Sequence, residues 1–382
     1  MKFCMSCAAG LESLLKKEIQ IAGYTFVDSQ PTLVRFEGDF SAIAKMNLRS
    51  RVWNKLYLEL AKKKISDFDS LFDLIQTIDW SVYVQDNPIV VNALSKQSLL
   101  TSIPTVQSVS KKAIVNKIFE VQRSKGAKAK EREDWEKLFE DAKLQSVEIL
   151  VHIQNNECSI LLNTTGESLH KRGYKKMTGE APINESLAAG LLLLSWWKFS
   201  EPLYDFFCGS GTIVIEATLL AKNIAPGIFR SFAFQQFSRY DQNLFTAELQ
   251  SAKSKMMLDK THTIVASDID PQMIVIAKEN AKNAGVEQFI SFETKDVKDY
   301  LTWPALAWTL VSNPPYGIRL HIFDLEKLYR GIAELFTVHP KLHGGIITSY
   351  VRFADMQLKG NWKKSPFWNG WEECRFYKKS LL

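Results

Sequence analysis

Long apolar runs are scarce in this chain. The nearest approach, Ser186 to Trp197 (SLAAGLLLLSWW), falls short of the ~20 residues a membrane-spanning helix needs. The N-terminus, MKFCMSCAAGLESLLKKE, has no apolar core of its own and meets helix-forming charges at once, so no signal peptide is expected and the cytoplasm is the expected location. Cysteine is sparse too. Five cysteines in 382 residues, an odd number, argue against a disulfide framework. Cys4 and Cys7 form a lone CxxC; no second pair or spaced histidine pair supplies the other ligands that zinc needs, and packing roles are expected instead. Six histidines make no HxH or HExxH pattern, so no metal site is expected. A Gly-Lys-Ser/Thr phosphate loop and a G-x-G-x-x-G fingerprint are both missing, which excludes the sequence signatures of two common nucleotide sites.

A large excess of one charge is also lacking. Lysine and arginine outnumber the acids 48 to 42, a net charge of +6 with a pI near 8.8. That balance permits nucleic acid as a partner without requiring it. The basic clusters fall at Lys62, Lys63 and Lys64, in RSKGAKAK (123–130) and in HKRGYKK (170–176), while Lys111 and Lys112 lie on the polar side of an expected helix.

The length implies two or three domains. Residues 1–65 alternate short strands and helices as β-α-β-β-α-β, with Leu11, Leu14, Leu15 and Ile19 at helical spacing and a stop at Gly23, which suggests a ferredoxin-like sandwich. Residues 66–165 continue the mixed pattern and close with two alternating strands meeting at Asn155-Asn156, a hairpin signal. From 166 to 382 the texture becomes α/β: a polar connector ending at Pro182, an apolar helix, then apolar strand runs alternating with helices, as expected of a parallel, doubly wound, Rossmann-like sheet. The segment from Ile224 to Lys260 is too long for a plain connection and reads as an insertion with helical pieces.

In an open parallel sheet, ligands bind beyond the carboxyl ends of the strands. Four such ends carry polar signatures here. In DFFCGSGT (Asp205 to Thr212), Gly209 and Gly211 permit positive φ and close approach of a ligand to the backbone, and a helix starting near Thr212 offers free N–H groups. In SDIDP, Asp268 is placed to accept two ribose hydroxyls, with Asp270-Pro271 opening the next helix. In ETKDV, Asp296 follows a third strand and could meet an adenine edge. In SNPPYG, Asn313 offers a side-chain oxygen, Pro314 a carbonyl with no N–H of its own, Pro315 a stiff turn and Tyr316 a ring face for stacking. Two converging acceptors suit an –NH2 group. Taken one at a time, each signature also reads as a tight turn, a helix cap or a solvated acid. Their order along one chain is the more specific signal.

These ordered motifs resemble those of class I S-adenosylmethionine-dependent amino-methyltransferases. The resemblance implies that Asp205, Phe206, Cys208, Gly209, Gly211 and Thr212 lie against the methionine part of the cofactor, Asp268 and Ile269 at the ribose, and Asp296 near the adenine. It also implies that Asn184, at a helix start, closes over the cofactor and that Asn313 to Tyr316 hold the target amine. More widely, NTTGESLHKRGYKK, APINESLAAGLLLLSWW, IEATLLAKNIAPG and the N-terminal GLESLLKKEI resemble bacterial THUMP-domain RNA methyltransferases, the group that includes the 23S rRNA guanine-N2 enzymes. Phe206 departs from the proline common in that group. The resemblance implies a ferredoxin-like domain over 1–65, a THUMP RNA-binding domain over 66–165 and a methyltransferase domain over 166–382, with no second, fused methyltransferase. It implies an RNA substrate contacted by the basic clusters and by Arg172 and Tyr174 at the join. Methyl transfer to guanine N2 of 23S rRNA is then the leading expectation. Adenine-N6 methylation of DNA, methylation of a protein glutamine, and a non-catalytic RNA-binding assembly factor are the alternatives.

Overall fold

A computed structural model describes residues 1–84, 87–124, 146–177, 183–303, 308–316, 322–356, 358, 360–370 and 372–381. Most of the basic run RSKGAKAK, the end of the connector at Pro182, and Gly317 lie outside the described residues.

The N-terminal elements are β1 (Lys2–Cys7), α1 (Glu12–Ile21), β2 (Thr25–Gln30), β3 (Leu33–Glu37), α2 (Ser41–Arg49) and β4 (Trp53–Lys64). The apolar stripe of α1 is buried at Leu14, Leu15 and Ile19, and the chain leaves the helix through Gly23 at φ +88°. Next come α3 (Phe68–Gln76), β5 (Ile89–Lys96), α4 (Ile103–Ser124), β6 (Val147–Gln154) and β7 (Glu157–Asn163). A capping box between Asp67 and Ser70 starts α3. Strand β6 buries every second residue, as its alternation requires, and Asn155 and Asn156 turn the hairpin with both residues at positive φ.

All seven strands share one sheet in the order β2-β3-β1-β4-β7-β6-β5. The antiparallel ladder between β4 and β7, running from Tyr57↔Asn163 to Lys64↔Glu157, carries it across residue 65 without a break. Cys4 and Cys7 are both buried, on different sides of this sheet, and burial pushes each thiol up to about 12. They are packing residues. No group of three or more potential metal ligands exists among the described residues, nor is any helix there long and apolar enough to cross a membrane.

The second half contains α5 (Glu185–Leu194), β8 (Leu203–Asp205), α6 (Thr212–Ala221), α7 (Gln242–Ser254), β9 (Ile264–Asp268), α8 (Pro271–Asn283), β10 (Ser291–Thr294), β11 (Thr309–Ser312), α9 (Ile322–Val338), β12 (His343–Thr348), β13 (Asn361–Asn369) and β14 (Glu372–Ser380). They form a second sheet ordered β10-β9-β8-β11-β12-β14-β13. The first five are parallel; β14 and β13 close the edge antiparallel. Strand order reverses between β8 and β11, which opens a crevice at their carboxyl ends.

The insertion supplies α7 and fastens the two halves together. Arg49 of α2 pairs with Glu248 and donates to Ser251 Oγ at 3.0 Å, and the N–H groups of Ala233 and Phe234 donate to the carbonyls of Thr165 and Thr164.

Candidate active site at the strand switch

Strand β8 ends on Asp205, which is fully buried. Its Oδ1 accepts from Ser312 Oγ at 2.7 Å and from the Phe207 N–H at 3.2 Å; its Oδ2 is buried without a partner. Burial raises this carboxyl to about 7, against the lowering effect of those two donors, and the nearby Asp268 carboxylate pushes the same way. Ser312 is the last residue of β11. It accepts from the Phe206 N–H at 3.0 Å while donating to Asp205, so it locks the two strands together at the switch.

The turn after β8 is shaped by glycine. Gly211 sits at φ +84°, and a Cβ there would meet Ala277 of α8 at 3.0 Å, so only glycine lets α6 start this close to α8. A Cβ on Gly209 would meet nothing within 4 Å: its α-carbon faces open space at the crevice. The Gly209 N–H donates to Asp268 Oδ2 at 3.0 Å, and Asp268 Oδ1 accepts from the Asp270 N–H at 3.0 Å. Burial again raises the Asp268 carboxyl. Ile269 beside it is 68% exposed, a bare apolar side chain at the rim. Asp296, just past β10, caps the following turn through the Lys298 N–H and is half-buried. Asn184 caps α5 through the Ser186 N–H and also accepts from Ser186 Oγ at 3.0 Å.

Several expectations need correction. Phe206 is buried and stacks on Tyr300 with ring centroids 4.0 Å apart, so its side chain turns into the core. Thr212 and Cys208 keep their places at the turn; both are buried, as Asp205 is, and burial raises the Cys208 thiol well above its ordinary range. Arg172 and Tyr174 are each 1% exposed, out of reach of any RNA. Arg172 pairs with the buried Glu216 at 3.3 Å and donates to the carbonyls of Leu169 (2.8 Å) and Arg51 (2.6 Å); Tyr174 donates to Glu216 Oε1 at 3.1 Å. Arg172 joins the halves internally, and Tyr174 supports it through their shared partner Glu216.

The fourth signature is present in a changed form. Asn313 is half-buried, and its Oδ1 is buried with no hydrogen-bond partner. Tyr316 does not offer its ring. It is 1% exposed, and its hydroxyl accepts from Asn369 Nδ2 at 3.0 Å. The aromatic side chain anchors the turn from beneath. Pro315 is held as well, its carbonyl accepting from the Tyr329 hydroxyl at 3.2 Å. Lys62, Lys63, Lys64, Lys111 and Lys112 are all exposed, with Lys62 paired to Glu157 at 2.8 Å.

Three supporting residues escaped the sequence reading. Ser312 is one and Tyr329 another. Asn280 is the third: fully buried on α8, it donates to the carbonyls of Ser210 (3.0 Å) and Met177 (2.9 Å) and so braces the glycine turn against the connector. Its signal was available, a polar residue at helical spacing with Ile274 and Ala277 on an otherwise apolar stripe.

Known proteins share this architecture. A family described as "RMKL-like, methyltransferase domain" matches residues 172–376, and one described as "RlmL ferredoxin-like domain" matches residues 2–57. The Bacillus subtilis protein named "Putative RNA methyltransferase YpsC" is 35% identical over 373 residues, covering 96% of this chain and 93% of its own length. Ribosomal RNA large subunit methyltransferase K/L of Shewanella frigidimarina is 31% identical over 98% of this chain, which spans only 52% of that protein. Among solved structures, a protein described as a predicted N6-adenine-specific DNA methylase from Listeria monocytogenes superposes with a TM-score of 0.88 at 34% identity, covering 99% of this chain and 96% of its own. SMU.472, complexed with SAH, superposes with a TM-score of 0.86 at 29% identity, covering 99% and 97%.

Proposed function

The chain belongs to the RMKL-like methyltransferase family, and from that premise we propose that it transfers a methyl group from S-adenosylmethionine to the exocyclic amine of an RNA base, guanine N2 in 23S rRNA. S-adenosylmethionine supplies an electrophilic methyl group on a sulfonium. The residues at the switch fit it: Asp205 keeps a buried, unpartnered oxygen for a cationic or N–H donor, Gly209 leaves the backbone open to close approach, and Asp268 has lone pairs to spare for hydroxyls after accepting two backbone N–H groups.

One observation carries the reading. Two buried acceptors lack partners at neighbouring strand ends, Asp205 Oδ2 and Asn313 Oδ1. Ser312 links them, bonded to Asp205 and followed directly by Asn313. A buried polar atom left unpaired costs about 1–3 kcal/mol, so such atoms at a crevice imply ligands that satisfy them. Asn313 Oδ1 and the Pro314 carbonyl would accept hydrogen bonds from the two hydrogens of the amine and so orient the nitrogen lone pair; on taking the methyl group that nitrogen gives up one proton to water, and the C–S bond breaks to leave S-adenosylhomocysteine. The protein's part is orientation. A base within a helix must be swung out to reach this pocket. The proposal extends to the division into a ferredoxin-like domain (1–65), a THUMP domain (66–165) and a methyltransferase domain (166–382), with Lys62, Lys63, Lys64, Lys111 and Lys112 on RNA phosphates. A ribosomal RNA substrate also sets the reaction in the cytoplasm.

The RNA choice is supported by the match to an RlmL ferredoxin-like domain and by the names of the B. subtilis and Shewanella relatives. The name of the Listeria protein favours DNA adenine instead. Labelled S-adenosylmethionine offered with 23S rRNA, tRNA and genomic DNA, followed by nucleoside mass spectrometry, separates the two. N2-methylguanosine in 23S rRNA is the expected product, and N6-methyladenine in DNA alone would overturn the assignment.

A further inference from the structure

Removal of Tyr316 from the surface leaves the target base without the ring on which it was expected to stack. A different aromatic residue stands at the same rim. Strand β13 runs parallel to β12, because both pair antiparallel with β14, so its last residues lie at the carboxyl edge with Asn313. There Phe367 turns inward and is buried, and Asn369 reaches the Tyr316 hydroxyl. Trp368, between them, is 49% exposed. Its register partner is Glu373, and Arg375 is the diagonal neighbour, opposite Pro366. Glu373 and Arg375 line a cavity of about 110 Å³ with Thr348, Ser349, Val351 and Tyr377. The N-terminal half packs against the other face of this strand end: a Cβ on Gly10 would lie 3.0 Å from the Phe367 ring and 3.2 Å from the Pro366 carbonyl.

Resting on the RNA reading above, we propose that Trp368 and Arg375 form a second nucleotide subsite beside the amine clamp, which takes an unpaired nucleotide flanking the target. The indole stacks on its base and the guanidinium meets its phosphate. A bare indole in this position suits stacking on any base, because every base has a flat face. Arg375 supplies a fixed fork for phosphate oxygens. Glu373 repels phosphate on its own side of the cavity and leaves that side to the amine-bearing edge of a base. Glu372, the other nearby acid, is engaged by Ser349 Oγ at 2.6 Å.

The test uses the full chain and two probes: an unmodified 23S rRNA transcript, and labelled 12-nucleotide oligomers of uridylate or of the base-free sugar-phosphate. With Trp368→Ala, KM for the transcript should rise about tenfold, while KM for S-adenosylmethionine and the unfolding temperature stay at wild-type values. The same variant should bind the uridylate oligomer about tenfold more weakly and the base-free oligomer unchanged, and Trp368→Phe should restore most of both losses. Arg375→Ala should weaken both oligomers alike. Equal loss on both oligomers in Trp368→Ala, or no loss on transcript and uridylate, overturns the subsite while leaving RNA methylation standing. Wild-type protein that methylates no RNA overturns the substrate class and the subsite with it.

Discussion

The two seven-stranded sheets differ in where they put their strand ends. In the first, every neighbouring pair but β5–β6 is antiparallel, so carboxyl and amino ends alternate along each edge. Around its long β4–β7 ladder, buried polar side chains satisfy one another, although Arg35 Nε and Trp53 Nε1 elsewhere in this sheet are buried without a partner. Asn47 donates to the Ile43 carbonyl and to Thr164 Oγ1, Thr165 Oγ1 donates to Asn47 Oδ1, and Asn163 Oδ1 accepts from the N–H groups of Thr165 and Gly166. In the second sheet five parallel strands bring their carboxyl ends to one rim, and two acceptors there stay unpaired. Closed polar networks hold a fold together; open ones at a collected set of strand ends await a ligand. On the proposed function, the first sheet is a scaffold that offers phosphates a surface, and the second sheet carries the chemistry.

The junction between the sheets should break most severely. Glu216 is fully buried on α6 and pairs with Arg172, whose guanidinium also holds the Arg51 carbonyl from the N-terminal half. Glu216→Ala leaves a buried cation without its counter-charge and should cost roughly 3–5 kcal/mol. Denaturant unfolding of the variant would measure it. A loss under about 1 kcal/mol, the scale of a surface pair, would mean that the two halves are not held together through this contact.

Next in size is the amine clamp. Asn313→Ala should lower kcat about a hundredfold or more, the scale of a lost orienting hydrogen bond in a dry site. Its affinity for S-adenosylmethionine, measured by calorimetry, should stay near wild type. Weakened cofactor binding with normal kcat would move Asn313 to the other side of the site.

The donor side should show its own pH dependence. Asp205 is raised to about 7 in the folded protein by burial. A raised carboxyl means the folded state binds the proton more tightly than the unfolded chain. The stability it contributes is full below the unfolded value of about 4 and is lost as pH rises toward the folded value. Affinity for the cationic cofactor should run the opposite way, rising as Asp205 ionises through about pH 7. Asp205→Asn should flatten both curves; an unchanged pH profile of cofactor binding would show that this carboxyl does not meet the cofactor.

Features encoded within a few consecutive residues were legible in the sequence. The Asn155-Asn156 hairpin, the α1 stripe and the four strand-end signatures all depend on neighbours, and each falls at the turn, helix face or strand end its pattern points to, the fourth with its tyrosine turned inward. What was missed depends on partners far away in sequence. Arg172 and Tyr174 sit in a run of lysines and read as surface, because Glu216, more than forty residues on in an apolar helix, gives no local sign that it will bury them. The β4–β7 ladder joins strands about a hundred residues apart, so the continuity of the first sheet is invisible to periodicity. Tyr316 looked like a stacking platform until Asn369, 53 residues later, took its hydroxyl.

The smallest expected effect tests the scaffold's surface. Lys63 and Lys64 end β4 exposed, whereas Lys62 is already paired with Glu157. A phosphate contact releases counterions, so each lysine that makes one steepens the fall of affinity with salt. Lys63→Ala with Lys64→Ala should reduce the log–log salt slope of binding to a 23S rRNA transcript by about 1.4, at ~0.7 per contact to single strands. Turnover at saturating RNA should not change, since neither residue approaches the switch between β8 and β11. Comparing the slope with that of Lys111→Ala and Lys112→Ala on α4 locates the track of the backbone. If only the α4 pair moves the slope, RNA crosses the helical side of the first sheet, and the lysines at the end of β4 are no more than a solvated strand end.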